Sequence, residues 1–199
     1  MPDSSPREVY LVRHGETAWS LSGQHTGWTD LPLTPRGEAQ ARGLEERLGR
    51  LSFTHVLSSP LQRARRTGEL AGFETSVVLD GELVEWNYGD YEGRTLAQIR
   101  SERPDWQLFR DGCPGGESVT EITERVDRVI ARVRALEGCV LIFSSGHVLR
   151  VLAARWLEAP AAFGRGLVLD PACICKLGYD HEGSDRVIRL WNDSRPEAR

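Results

Sequence analysis

The segment Cys139-Val140-Leu141-Ile142-Phe143 limits the fold more than any other stretch, because five consecutive apolar residues in a strand send side chains to both faces of a sheet. A strand that is apolar on both faces must be covered on both, and helices packed on either side of a parallel sheet do this. The flanking segments agree. Ser118 caps a long helix whose apolar positions Val119, Ile122, Val126, Ile130 and Val133 keep helical register to about Leu136, and Val148 to Leu157 reads as a second helix.

The same alternation runs through the rest of the chain. Glu8 to Val12 is a short strand that leads directly into Arg13-His14-Gly15. Thr34 is placed to N-cap a helix with Pro35 at its first position, and Ala41, Leu44, Leu48 and Leu51 follow at helical spacing, a face expected to pack on the sheet. Thr54 to Leu57 is the next strand, Ser58-Ser59-Pro60 a turn, Leu61 to Ala71 a helix ended by Gly72, and Thr75 to Leu79 a third strand. Two more strands are expected at Cys173 to Leu177 and Val187 to Trp191. Residues 82–117 differ: Trp86, Tyr88, Tyr91, Trp106 and Phe109 sit in a Gly- and Pro-containing background with weak periodicity, which suggests an excursion over a site. The whole predicts one α/β domain over residues 1–199, in three layers α/β/α around a mostly parallel central sheet.

Composition narrows the function. With 25 Lys plus Arg against 29 Asp plus Glu the net charge is −4, so there is no general positive field to gather nucleic acid or an anionic membrane, and an anionic ligand must be held by local charge. No apolar run approaches the length of a membrane span, and the first eight residues lack the basic start and apolar stretch of a secretory signal; a cytoplasmic protein is expected. The four cysteines contain no C-x-x-C pair and are read as reduced. No His/Cys/Asp/Glu cluster has metal-ligand spacing, and neither a metal nor another cofactor is expected.

Arg13-His14-Gly15 at the end of a first strand puts an imidazole and a guanidinium at the carboxyl edge of the sheet, where α/β folds bind ligands. An imidazole nitrogen can attack phosphorus if the other nitrogen is held as N–H by a backbone carbonyl, and Arg13 can grip phosphate oxygens through its planar fork. Spread-out negative charge needs more than one such donor. Arg63, in the first turn of the helix after Ser58-Ser59-Pro60, is the second candidate. A leaving alkoxide needs a proton, and Glu85, between apolar and aromatic neighbours in Leu83-Val84-Glu85-Trp86-Asn87-Tyr88-Gly89, is the candidate general acid.

Five ordered segments resemble the histidine phosphatase superfamily, the phosphoglycerate mutase-like family: Arg13 to Thr17, Gly27 to Thr34, Ser58 to Ala64, Glu85 with Gly89 and Glu92-Gly93, and Gly115-Gly116-Glu117-Ser118. The resemblance implies the phosphoglycerate mutase-like fold. It implies that His14 becomes phosphohistidine, that Arg13 and Arg63 bind phosphate, and that Glu85 is proton donor and acceptor. Further candidates for contact with phosphate or substrate are Thr17, Ser20, His25, Thr26, Gly27, Ser145 and His147.

Within the superfamily the chain looks closest to cytosolic broad-specificity acid phosphatases and sugar-bisphosphatases, on Gly23 to Gly27, Glu85 to Gly93 and Leu149 to Trp156. Hydrolysis of a small phosphorylated metabolite is then expected, with no nucleic acid or membrane partner; pairing of edge strands is a route to a homodimer. Phosphoglycerate mutase activity and weak, regulatory phosphate-ligand binding are the alternatives. In one place the chain departs from the family, whose second histidine precedes a glycine: here Ser145 holds that position and His147 follows Gly146. Either His147 turns back to the phosphate, or Ser145 donates a weaker neutral bond and the site runs slowly.

Overall fold

A computed structural model describes residues 8–194. Its sheet has six strands, β1 (Val9–Arg13), β2 (His55–Ser58), β3 (Val77–Leu79), β4 (Val140–Ser144), β5 (Ile174–Asp180) and β6 (Asp185–Asp193), in the order β3-β2-β4-β1-β5-β6. β3, β2, β4 and β1 run parallel, while β5 is antiparallel to β1 and β6 to β5. The expectation of a mostly parallel α/β sheet is met, with β4 at the centre.

Alternation along the central strands produces the layers. Val9 and Leu11 of β1 and Val140 and Ile142 of β4 face α7 (Val119–Ala135) and α8 (Gly146–Trp156), where they pack with Ile122, Val126, Leu149 and Leu152. Tyr10, Val12, Leu141 and Phe143 face the opposite side and pack with Leu44, Leu48 and Ala71. Each fully buried aliphatic side chain in these layers contributes about 1.5–3 kcal/mol. α7 starts as the sequence predicts, with Ser118 accepting from Glu121 N while the Glu121 side chain returns to the cap.

The helices before β3 depart from the expected pattern. The helix begun at Pro35 stops at Arg42 as α2, and the chain turns through Gly43 and Leu44 before α3 (Glu45–Gly49). Gly43 has low helix propensity, yet Ala41, Leu44 and Leu48 still reach the core, whereas Leu51 lies beyond the end of α3 and is left 38% exposed. α4 (Gln62–Gly68) is followed by a looser turn from Glu69 to Phe73, in which Gly72 takes φ +91°. Short helices α1 (Ala18–Ser22), α5 (Leu96–Glu102) and α6 (Leu108–Asp111) lie where the sequence was too weakly periodic to assign one.

The β1–β4 register places Arg13 opposite Ser144, and β2 ends with Ser58 opposite Phe143. Three parallel strands therefore finish at one edge, and the segments that leave them carry His14, the Ser59–Arg63 turn and Ser145 to His147. Among the described residues, no helix is long and apolar enough to cross a membrane.

Candidate active site

His14 leaves β1 with its amide donating to Ser144 O at 2.9 Å. Its ring is fixed by Nδ1, which donates to Gly15 O at 2.7 Å, so Nε2 carries the free lone pair. The side chain is only 3% exposed. Burial first, then the positive charges of Arg63 and Arg13, hold the imidazole well below the ordinary histidine pKa, against the opposing effect of the Gly15 bond. The tight turn depends on Gly15, since a Cβ there would lie 2.4 Å from Gly37 O. Gly15 N also donates to Thr67 Oγ1, tying the loop to α4.

Two arginines stand beside this ring, each anchored by main-chain carbonyls. Arg13 Nη1 donates to Leu169 O at 2.6 Å. Arg63, fully buried, donates from Nη1 to Thr29 O and from Nη2 to Gly27 O and Thr26 O. Glu92 takes the other side of the same loop, accepting from Gly27 N and Thr29 N through Oε1. The loop is thus clamped through its carbonyls by one side chain and through its amides by another. Nε of Arg13, Nε of Arg63 and Oγ of Ser145 are buried and have no partner among the described residues. Three unpartnered buried polar atoms in the segments around His14 fit an anion-binding site, because leaving such groups unmatched costs about 1–3 kcal/mol each.

Glu85 reaches from the excursion to the start of α8. Its Oε1 accepts from Trp86 N and Val148 N, and Oε2 accepts from His147 N at 2.9 Å. The carboxylate therefore caps a helix whose N-cap residue, Ser145, makes no side-chain cap of its own. Arg125 supports the approach from behind, donating to the carbonyls of Glu82 and Val84 and pairing with Glu117, whose carboxylate also accepts from Asn87 N. The Gly115 to Ser118 motif has this structural use: Glu117 orients the Glu85 segment, and a Cβ on Gly116 would lie 2.2 Å from Asn87 O.

Arg13, His14, Glu85 and His147 line one cleft with a volume of about 170 Å³, together with Ser20, His25 and Thr26. The His147 ring stacks on His25 with centroids 6.2 Å apart, and its Nδ1 is 2.5 Å from Tyr88 Oη. His25 donates from Nδ1 to Arg94 O. Thr17, Gly27, Arg63 and Ser145 do not line the open cleft. Thr17 Oγ1 accepts from Ser20 N as the cap of α1, Gly27 is taken up by Glu92 and Arg63, and Arg63 and Ser145 are fully buried.

Tyr88, Gln24, Leu169 and Arg150 line the cleft although the sequence did not single them out as ligands. Arg150 had a signal, since it lies three residues beyond His147 on one helix face. Leu169 had none, as it contributes a carbonyl to Arg13. Among the described residues, no group of three or more His, Cys, Asp or Glu is arranged to hold a metal ion.

Comparison with known proteins finds relatives in sequence and in fold. The family model described as "Histidine phosphatase superfamily (branch 1)" matches residues 9–194. An acid phosphatase of Mycobacterium tuberculosis is 42% identical, the match covering 87% of each chain. A sedoheptulose 1,7-bisphosphatase of Saccharomyces cerevisiae is 41% identical over 78% of this chain and 69% of that protein. The solved structure of the open reading frame Rv3214 from Mycobacterium tuberculosis superposes with a TM-score of 0.89 at 38% identity, covering 94% of this chain and 97% of that one.

Proposed function

The chain belongs to branch 1 of the histidine phosphatase superfamily and is a phosphomonoester hydrolase, and on that premise we propose that it works through a phosphohistidine on His14, on small phosphorylated metabolites of the cytoplasm. The observation that carries this reading is the tautomer of His14: Nδ1 bonded to Gly15 O leaves Nε2 unprotonated, and burial beside two arginines keeps it so.

In the first step Nε2 attacks phosphorus, the bond from phosphorus to the ester oxygen breaks, and a protonated Glu85 gives its proton to the departing alkoxide. Arg13 and Arg63 match the charge spread over the phosphoryl oxygens. In the second step water attacks the phosphohistidine, Glu85 takes a proton from it, and the P–N bond breaks to return neutral His14. His147 and Ser145 are the remaining donors to the phosphoryl group, the first as a neutral N–H and the second as a hydroxyl.

The test is hydrolysis of phenyl phosphate across pH, with His14→Ala as control, together with a search for an acid-labile phosphoenzyme. Wild-type protein that releases phosphate from no monoester and forms no such intermediate overturns the reading. A second reading, slow turnover with retained phosphate-ligand binding, is favoured by one observation: a hydroxyl at position 145 replaces the imidazole of the family pattern. Tight phosphate binding with negligible hydrolysis would select it.

A further inference from the structure

One buried ion pair holds the chain on both sides of Glu85. Arg125, on the buried face of α7, commits all five of its N–H groups. Nε and Nη2 donate to the Glu117 carboxylate at 2.7 and 2.8 Å, Nη1 donates to Glu82 O and Val84 O at 2.7 and 2.8 Å, and Nη2 also reaches Glu85 O at 3.4 Å. Glu117 continues the grip past the acid. Its carboxylate accepts from Asn87 N, its amide donates to Asn87 O, and its carbonyl accepts from the Trp86 indole at 2.9 Å. Every residue from Val84 to Asn87 is therefore bonded to Arg125 or to Glu117.

The Glu85 carbonyl has a second donor, the Trp28 indole, at 3.2 Å. Trp28 lies between Gly27 and Thr29, whose carbonyls anchor Arg63, so this bond joins the loop that holds Arg63 to the segment that holds the acid. Arg125, Glu117 and Trp28 do not line the cleft. What they contribute to the reaction has to pass through the residues they hold. A buried ion pair is a poor source of net stability, because removal from water offsets the attraction. What a planar guanidinium with every donor engaged does supply is direction.

We propose that Arg125 is a positioning residue for proton transfer: with Glu117 and Trp28 it fixes Glu85 through the main chain, and so governs which leaving groups the protein can expel rather than how tightly it holds phosphate. This rests on the phosphatase reading, in which protonated Glu85 gives its proton to the ester oxygen as the P–O bond breaks and Nε2 of His14 forms the P–N bond. A group that is stable as an anion departs without that proton, whereas an alkoxide does not. Displacing the Glu85 carboxyl therefore slows alkyl esters and spares 4-nitrophenyl phosphate. The competing account is a brace for the fold, whose loss would disturb the whole cleft and slow all esters alike.

The two accounts separate by leaving group. kcat/KM is measured for 4-nitrophenyl phosphate, phenyl phosphate and glycerol 3-phosphate, since this ratio ends at departure of the alcohol and excludes the later hydrolysis of phosphohistidine. Glu85→Gln sets the scale for loss of the proton, and inhibition by inorganic phosphate reports on the anion site. The expected result for Arg125→Gln is a loss of about 10- to 100-fold with glycerol 3-phosphate, an intermediate loss with phenyl phosphate, and less than about threefold with 4-nitrophenyl phosphate or in phosphate inhibition. Arg125→Lys, which keeps the charge but has three donors, recovers part of the loss. Trp28→Phe removes one donor from a half-exposed residue and leaves the ion pair in place; it gives the same order of losses at smaller size. Should Arg125→Gln fail to fold, Arg125→Lys and Trp28→Phe carry the same comparison. Equal losses for the three esters, or no loss for any, overturn the proposal while Glu85→Gln retains its leaving-group bias. Failure of the phosphatase reading looks different: wild-type protein then hydrolyses none of the three.

Discussion

The Tyr88 hydroxyl lies 2.5 Å from Nδ1 of His147, and this bond sets where the imidazole proton resides. Burial, then the neighbouring Glu85 carboxylate, pushes the phenol well above its ordinary pKa, so it keeps its proton. Burial, then Arg150, His25 and Arg13, holds His147 well below the ordinary histidine value. The phenol therefore donates, Nδ1 accepts, and the ring proton is on Nε2 as a neutral donor.

Tyr88→Phe keeps the ring and deletes this bond. We expect kcat/KM for phenyl phosphate to fall by about 10-fold, the equivalent of ~1.4 kcal/mol. His147→Ala should cost at least as much, and the double variant no more than His147→Ala alone, because both act through one donor. Additive losses would mean that Tyr88 acts on substrate by another route.

Ser145 separates stability from function. Its Oγ is buried without a partner among the described residues, so Ser145→Ala should leave the unfolding free energy from urea titration unchanged or raised, by no more than about 1 kcal/mol. A fall in kcat with no loss of stability would identify the hydroxyl as a phosphate donor. Ser145→His, which supplies the imidazole of the family pattern, should raise turnover on the order of 100-fold.

Arg63 is expected to do both jobs at once. Arg63→Lys keeps a charge but cannot span the carbonyls of Thr26, Gly27 and Thr29 with a planar fork. Denaturant unfolding should show a loss of roughly 3 kcal/mol, and kcat/KM should drop by about 100- to 1,000-fold. A fully active lysine variant would remove Arg63 from the phosphate site.

Acid should act on stability before it acts on the nucleophile. His14 and His147 have folded-state pKa values below the unfolded value of about 6.5, so above that pH they are neutral in both states and their contribution is intact. As pH falls below about 6.5 the unfolded chain takes up protons that the folded one refuses. Stability is then lost at up to ~1.4 kcal/mol per pH unit for each group, until the folded value is reached. The rate limb due to His14 protonation should accordingly lie well below pH 6.5, measured as kcat/KM against pH. A limb at the ordinary histidine value would contradict the buried, arginine-flanked imidazole.

Gly37→Ala tests the scaffold at a distance from the substrate. A Cβ on Gly37 would lie 2.1 Å from Glu16 O, in the turn that follows His14. Overpacking of this kind costs about 1–3 kcal/mol, and the expected shift of the His14 loop should lower kcat more than it raises KM. An alanine variant with wild-type melting and rate would show that the contact is slack.

The sequence disclosed what depends on local periodicity and local turns. The five apolar residues from Cys139 to Phe143 announced a strand covered on both faces, and Ser118 announced the start of α7. What it concealed depends on main-chain atoms brought from afar. Nothing in Leu169 marks it as the residue whose carbonyl aligns Arg13, and nothing in Val148 marks its amide as a ligand of Glu85. Leu51 misled because its spacing continued a helical pattern past Gly49, where α3 had already ended. His147 lay beyond reach for the same kind of reason: its orientation is set by Tyr88, 59 positions away in sequence.

Arg13, Arg63 and Arg150 are all anchored by peptide carbonyls rather than by carboxylates. Any residue type supplies a carbonyl, so the side chains of Thr26, Arg165 and Leu169 can change identity without releasing the cation that leans on their backbone, whereas Gly164 is held to glycine because a Cβ there would lie 2.8 Å from Arg150 O. The cleft can therefore exchange its substrate-facing side chains and acquire new specificities, while the charges that grip the phosphoryl group stay where they are.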